Sequence, residues 1–221
     1  MIKEKMKKTK SFKFWNSEEV EQTFGIKRIS NSELLLEWLA NDEKLSSKQE
    51  KQVAELKEGL IDKIEYWNEE ELKYHFLGKF VDMVNFDKFD YYRSFLGRTL
   101  TADVDGITIS GEVDFMVATG KQTPQVPFFF LHEYKQELKR DNDPLGQVLI
   151  AMVAAQARNP NRKPIYGCYV TGRFWYFVVL HEKEYSVSDA FKATDDEIYK
   201  ITGMLFFAKA NIEATLKEMN K

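Results

Sequence analysis

The sequence predicts an α/β protein, a central mixed β-sheet flanked by helices. Three observations carry that prediction. Helical patterns recur from about residue 30 to residue 84. Alternating strand patterns take over from Arg98. A helix-patterned stretch then separates the later strands, the order expected of a sheet with a crossover helix.

The elements follow in order. The first 30 residues mix Lys, Glu and aromatics without a sustained period. "SNSELLLEWLAND" reads as a short helix capped by Asn31 or Ser32. A longer helix starts near Ser47, which has capping-box spacing to Glu50 and is followed by a stripe of Val53, Leu56, Leu60 and Ile64. A second box, Asn68 with Glu71, opens "WNEEELKYHFLGKFVDMV", whose apolar face is Leu72, Phe76 and Phe80. "RTLTADVDGITISGEVDFMVATG" alternates around Asp105-Gly106, a strong two-residue hairpin signal.

Residues 120–127 form a loop into "FFFLHEYKQE", an apolar strand. "DPLGQVLIAMVAAQARN" is a helix rich in small apolar residues, and "PIYGCYV" and "RFWYFVVL" are aromatic strands. A helix from about Asp195 to Met219 closes the chain, with Ile198, Ile201, Leu205 and Ile212 as core candidates. These elements suggest an N-terminal helical extension over 1–45 and an α/β domain over 46–221.

Bulk properties narrow the function classes. A chain of 221 residues with 43% hydrophobic and 30% charged residues can bury a core. Its single cysteine, Cys168, excludes an intramolecular disulfide and suits a reducing cytoplasm. Cys168 sits in an apolar strand and reads as a core residue. No run approaches the roughly 20 apolar residues of a membrane helix, and the basic start lacks the apolar region of a secretory signal. A soluble cytoplasmic protein is expected. The net charge of −3 argues against coating nucleic acid through bulk charge, but it leaves room for an acidic metal site with local basic patches.

Four short stretches place polar residues where apolar ones are expected. In "GEVDFMV", Val113, Phe115 and Val117 would share one strand face and leave Asp114 on the other. Glu133 and Lys135 end the apolar strand and, two residues apart, project to one side. If the two strands are neighbours, Asp114 and Glu133 converge at one sheet edge. Two close carboxylates repel unless a cation lies between them, and Mg²⁺ or Mn²⁺ prefers such oxygen donors. Lys135 can then hold a metal-activated water or stabilise charge developing on a phosphate. That set suits metal-assisted hydrolysis of a phosphodiester.

"GEVDFMV…FFFLHEYK" resembles the core motif of the PD-(D/E)xK nuclease superfamily, with Asp114 as the motif aspartate and Glu133-Tyr134-Lys135 as the (D/E)xK. The resemblance covers about residues 65–180 and implies a restriction-endonuclease-like core. Val113 stands where the family pattern has proline. Glu69 lies on the Leu72 and Phe76 face, as the family's helix glutamate that joins the metal site does. Gln147 resembles the glutamine that several members place beside the metal-bound water. The resemblance therefore implies Asp114, Glu133, Lys135 and Gln147 as catalytic residues, and Glu69, Asp114 and Glu133 as Mg²⁺ or Mn²⁺ ligands. Lys139 and Arg140, directly after the motif, are the candidate phosphate contacts.

The implied activity is a divalent-metal-dependent nuclease acting on a nucleic acid, with DNA as the expected substrate. The N-terminal helices leave a homodimer open. The rival reading is a non-catalytic nucleic-acid-binding or protein-interaction module on the same scaffold. His75, His132 and His181 lack zinc-ligand spacing, and P-loop, dinucleotide-binding and nucleophile-elbow patterns are missing.

Overall fold

The computed structural model describes residues 9–30, 32–41, 44–88, 90–135, 143–159 and 161–219, with side chains of 130–135 outside that description. Among these residues it is an α/β fold around one mixed sheet of nine strands. Strand β3 (Arg93–Val104) turns at Asp105-Gly106 into β4 (Ile107–Ala118), and the two strands pair antiparallel. Both turn residues have positive φ, 50° and 81°, which a two-residue I′ hairpin requires. β5 (Pro127–Lys135) pairs antiparallel with β4.

From β5 the chain passes through helix α6 (Pro144–Arg158) to β6 (Ile165–Thr171), which lies parallel to β5. A crossover of this kind is what joins parallel neighbours. β7 (Phe174–His181) and β8 (Glu184–Val187) continue the sheet antiparallel. A two-residue strand, β9 (Phe191–Lys192), pairs with β7.

Residues 1–45, expected as a helical extension, contribute strands as well as helices. β1 (Thr9–Ser11) pairs parallel with β4, and β2 (Lys27–Arg28) pairs parallel with β8. Between them lies α1 (Ser17–Phe24), opened by a capping box of Asn16 and Glu19. The segment is thus woven into the sheet at two places.

Helices cover both faces. One face packs against α2 (Glu33–Leu39), α3 (Ser47–Lys63), α4 (Glu69–Leu72), α5 (Gly78–Val84) and α7 (Glu197–Met219). Its core includes Trp38, Val53, Leu60, Phe76, Phe80 and Trp175. The Trp38 indole N–H donates to the Met204 carbonyl at 2.7 Å, so this buried ring is both packed and satisfied. The predicted stripes hold in the main: Val53, Leu60, Ile64, Leu72, Phe76, Phe80, Ile198, Ile201, Leu205 and Ile212 are buried, and Leu56 is partly buried against the same core.

The other face packs against α1 and α6. Every residue of α6 from Gly146 to Ala155 is buried, because the helix is held between the sheet and α1. The cap of α3 lies one residue earlier than its spacing suggested. Ser46 and Gln49 form the box, and Ser47 is already helical. Ser32 caps α2 as expected. Among the described residues, no helix is long and apolar enough to cross a membrane.

Candidate active site

The site begins with the cap of α4. The Asn68 side chain accepts from the Glu71 N–H at 2.9 Å, and the Glu71 carboxylate accepts from the Asn68 N–H at 2.8 Å. That reciprocal box fixes the first turn and leaves Glu69 and Glu70 in it. Buried Leu72, Phe76 and Phe80 press the same stretch onto the sheet. Between α4 and α5 the backbone widens into a π-helical turn over Lys73–Leu77, a feature that re-spaces side chains and recurs at functional sites.

Lys73 opens that turn. Its ammonium donates to Glu69 at 2.7 Å and to Asp114 at 3.2 Å, with Glu70 at 3.5 Å. Lys73 and Asp114 are half-buried and Glu70 is open to solvent. Burial works against the Lys73 charge, but the hydrogen bond to Glu69 and the charge of Asp114 outweigh it. Together they hold the ammonium well above the usual lysine range. Two of the expected metal ligands, Glu69 and Asp114, are therefore gathered from a helix and a strand around one cation. Lys73 was not among the sequence candidates. Its spacing of four from Glu69 is legible, but its contact with Asp114, 41 residues on, is not.

Asp114 does not sit on its strand as simple alternation predicted. Val113 packs with Met116 and Ala118 on the α6 face, whereas Phe115 and Val117 pack on the opposite face. The alternation of β4 thus changes phase at Asp114. The cause lies across the hairpin. Arg98 pairs with Val113 and Leu96 with Phe115, and the intervening Gly97 has φ +54°, a left-handed residue within β3. β3 shifts phase there too: Phe95 and Leu100, an odd and an even position, share the α6-side core. Asp114 and Phe115, successive in sequence, consequently line the same groove.

β5 is irregular at the matching place. Phe115 pairs with Leu131, and continuing that register puts Asp114 level with His132. Toward β6, His132 pairs with Tyr169 and Tyr134 with Val170, so Glu133 is the extra residue of a β-bulge. Bulges bend a strand and re-aim side chains, and they gather beside active sites. The backbone of Glu133 and Lys135 is placed at the end of β5, next to the strand that carries Asp114. Their side chains lie outside the described set. Lys139 and Arg140 fall outside the described residues altogether.

Gln147 is in the first turns of α6, 4% exposed, on the helix that follows the motif strand. Its amide Nε2 has no hydrogen-bond partner among the described residues. No described hydrogen bond joins it to Glu69 or Asp114. Cys168 is fully buried in the core as expected, and burial pushes its thiol up. His75 stacks on Trp67 at 5.4 Å, a packing role.

A groove of about 790 Å³ adjoins Asp114 between the α4–α5 helical stretch and the β3–β4 hairpin. Leu77, Phe86 and Phe115 form apolar parts of its wall, and Tyr74 and Leu96 stand exposed at 76% and 72%. Glu70, Asp82, Asp87, Glu112 and Asp114 outnumber Lys73 and Lys79 along it, so its field favours cations.

Among the described residues, no group of three or more His, Cys, Asp or Glu side chains is arranged to hold a metal ion. The Glu69 and Asp114 pair nevertheless fits a hard divalent ion, which is commonly bound by one or two carboxylates, water and substrate oxygens. No family model and no curated protein matches the sequence.

Proposed function

We propose that this protein is a divalent-metal-dependent nuclease that hydrolyses phosphodiester bonds, with DNA as its substrate, on a PD-(D/E)xK-like core. One observation carries the reading: Glu69 and Asp114 meet around a single cation beside the strand end that bears Glu133 and Lys135. The order of elements agrees with it, since hairpin, strand, crossover helix and parallel strand follow one another as that core requires.

In this reading Asp114, Glu69 and Glu133 hold Mg²⁺ or Mn²⁺. The ion supplies Lewis acidity and lowers the pKa of a bound water toward neutrality. Lys135 positions the attacking water or stabilises charge on the phosphate. Gln147, buried with an unused donor, supports the water or the substrate. Lys139 and Arg140 contact flanking phosphates, which makes binding fall with salt. Lys73 would hold the two carboxylates together in the absence of the metal.

The test is cleavage of single-stranded, linear duplex and supercoiled DNA and of RNA, with Mg²⁺ or Mn²⁺. Wild type is run beside Asp114→Asn and Lys135→Ala. Loss of cleavage in both variants and in EDTA supports the reading and names the substrate class. Intact substrate in every lane, with all three proteins folded, overturns the enzyme.

A second reading has its own observation. Lys73 already offsets part of the charge of Glu69 and Asp114 without a metal, as a binding module that never handles an ion would require. Binding of DNA or protein that is insensitive to EDTA, with no cleavage, is its signature.

A further inference from the structure

The groove beside Asp114 presents apolar side chains to solvent. Tyr74, on the π-helical turn, and Leu96, on β3, are both exposed along it, and half-buried Val81 of α5 lies on its lining. Leu96 is unusual for its place. Among the described residues β3 pairs with β4 alone, so it is an edge strand of the sheet. Edge strands are ordinarily kept free of open apolar side chains, because these invite another chain. A solvated leucine on such an edge, facing an exposed tyrosine across a groove, marks a surface that meets a partner.

The charges say what that partner carries. Carboxylates stand on both sides of the groove. Glu70 and Asp82 belong to α4 and α5, Glu112 and Asp114 to β4, and Asp87 to the segment between α5 and β3. Among the described residues, these five carboxylates face two ammoniums, those of Lys73 and Lys79. Lys73 is already shared by Glu69, Glu70 and Asp114. Asp82, Asp87 and Glu112 have no cationic partner among the described residues. Such a lining repels a phosphate backbone and draws in cations. Tyr74 adds an open ring face on which a lysine or arginine can stack.

We infer that this groove docks a basic polypeptide segment of a partner protein. Its apolar side chains lie against Tyr74 and Leu96, and its lysines or arginines meet Asp82 and Glu112 on the two sides. The inference does not rest on the nuclease reading, since Asp82, Asp87 and Glu112 are not among the proposed metal ligands.

The test uses the full chain in EDTA, which keeps metal chemistry out of the outcome. A fluorescein-labelled peptide of alternating lysine and leucine, about ten residues and roughly 30 Å long when extended, is titrated with the protein. Its counterparts replace lysine by glutamate or leucine by serine, and single-stranded and duplex DNA are run as competitors. Fluorescence anisotropy should saturate with the lysine–leucine peptide and stay flat with the glutamate–leucine one. The lysine–serine peptide should bind about tenfold more weakly. Affinity should fall as salt rises from about 0.05 to 0.5 M, because the contacts are charged and exposed. The double variant Asp82→Lys, Glu112→Lys, changed at two exposed positions, should weaken binding about tenfold or more. Leu96→Ser, on the exposed edge, should weaken it without any change of charge, and it decides the matter if the double variant does not fold. The inference is overturned if no saturation occurs up to about 1 mM. It is equally overturned if folded variants bind as the wild type does. DNA that displaces the peptide and is itself weakened by Leu96→Ser also overturns it, since the groove is then a nucleic-acid channel.

Discussion

The Lys73 ammonium lies 3.2 Å from the Asp114 carboxylate, bridging the start of the π-helical turn and the point where β4 changes phase. Because Lys73 also holds Glu69, removing its charge takes away the ammonium that the two carboxylates share. Lys73→Met should change stability by no more than about 1 kcal/mol, since the pairs are partly solvated. Its larger effect should be on cations. Without the ammonium, a divalent ion can take its place between the carboxylates. Melting temperature measured against Mg²⁺ concentration should rise more steeply for Lys73→Met than for wild type. Equal slopes would mean that Glu69 and Asp114 do not bind the ion.

Gly97 sets the phase of the strand opposite Asp114. A Cβ there would have room, with the Glu112 Oε1 as its nearest neighbour at 3.4 Å. The obstacle is the backbone, held at φ +54°. Gly97→Ala should therefore cost about 1–2 kcal/mol in urea denaturation. Gly97→Val should cost more, because a β-branched residue tolerates this conformation least. Any nuclease activity should fall with it, since relaxing Gly97 lets β4 resume simple alternation and carries Asp114 away from Lys73. A Gly97→Val protein with unchanged stability would sink this account of the phase change.

The larger architecture was legible because long elements carry strong periods. The Asp105-Gly106 hairpin, the stripes of α3 and α7 and the box at Asn68 were all readable from spacing alone. β1 and β2 were not, because strands of three and two residues are too short to show alternation. α1 did leave a sign in Asn16 and Glu19, but its eight residues give little periodicity. At the site, Asp114 was legible as a polar residue in an apolar strand. Its face was not, because a left-handed Gly97 in a strand overrides the period of two on which the reading rested. Lys73 was hidden for another reason. In sequence it is an ordinary partner for Glu69, and only the packing of α4 on the sheet brings it to Asp114.

Asp143 joins two helices at their starts. One carboxylate oxygen accepts from the Gly146 N–H at 3.0 Å and caps α6, and the other accepts from the Ser17 N–H at 2.6 Å in α1. Asp143→Ala should cost about 1–2 kcal/mol for the lost α6 cap alone, with a further loss at α1. The neighbouring Gly146 allows this approach. A Cβ there would meet the Asn16 Cα and the Ser17 nitrogen at 2.6 Å, both backbone atoms that cannot rotate away. Gly146→Ala should destabilise by about 1–3 kcal/mol through overpacking, despite the roughly 1 kcal/mol that alanine adds to a helix. A stabilised Gly146→Ala would show that α1 does not press on α6 in solution.

Alkaline pH should unfold the protein through its buried phenols. Burial, followed by the charge of Glu37, raises Tyr166 from an ordinary 10.0 to about 12. Tyr92, Tyr169 and Tyr185 are raised as well, each first by burial. Glu213 adds to the shift at Tyr92, and Glu21 adds to it at Tyr185. A group whose folded pKa is raised retains its proton while the unfolded chain loses it. Its contribution is therefore complete below about pH 10 and disappears as pH rises toward 12. Melting temperature should accordingly be insensitive to these groups up to pH 9 and fall between pH 10 and 12. Tyrosinate absorbance should jump at the unfolding transition, where the buried phenols become free to ionise. Tyr166→Phe removes one of the groups and should lessen the alkaline slope. An unchanged slope in that variant would mean that the Tyr166 phenol ionises within the folded chain.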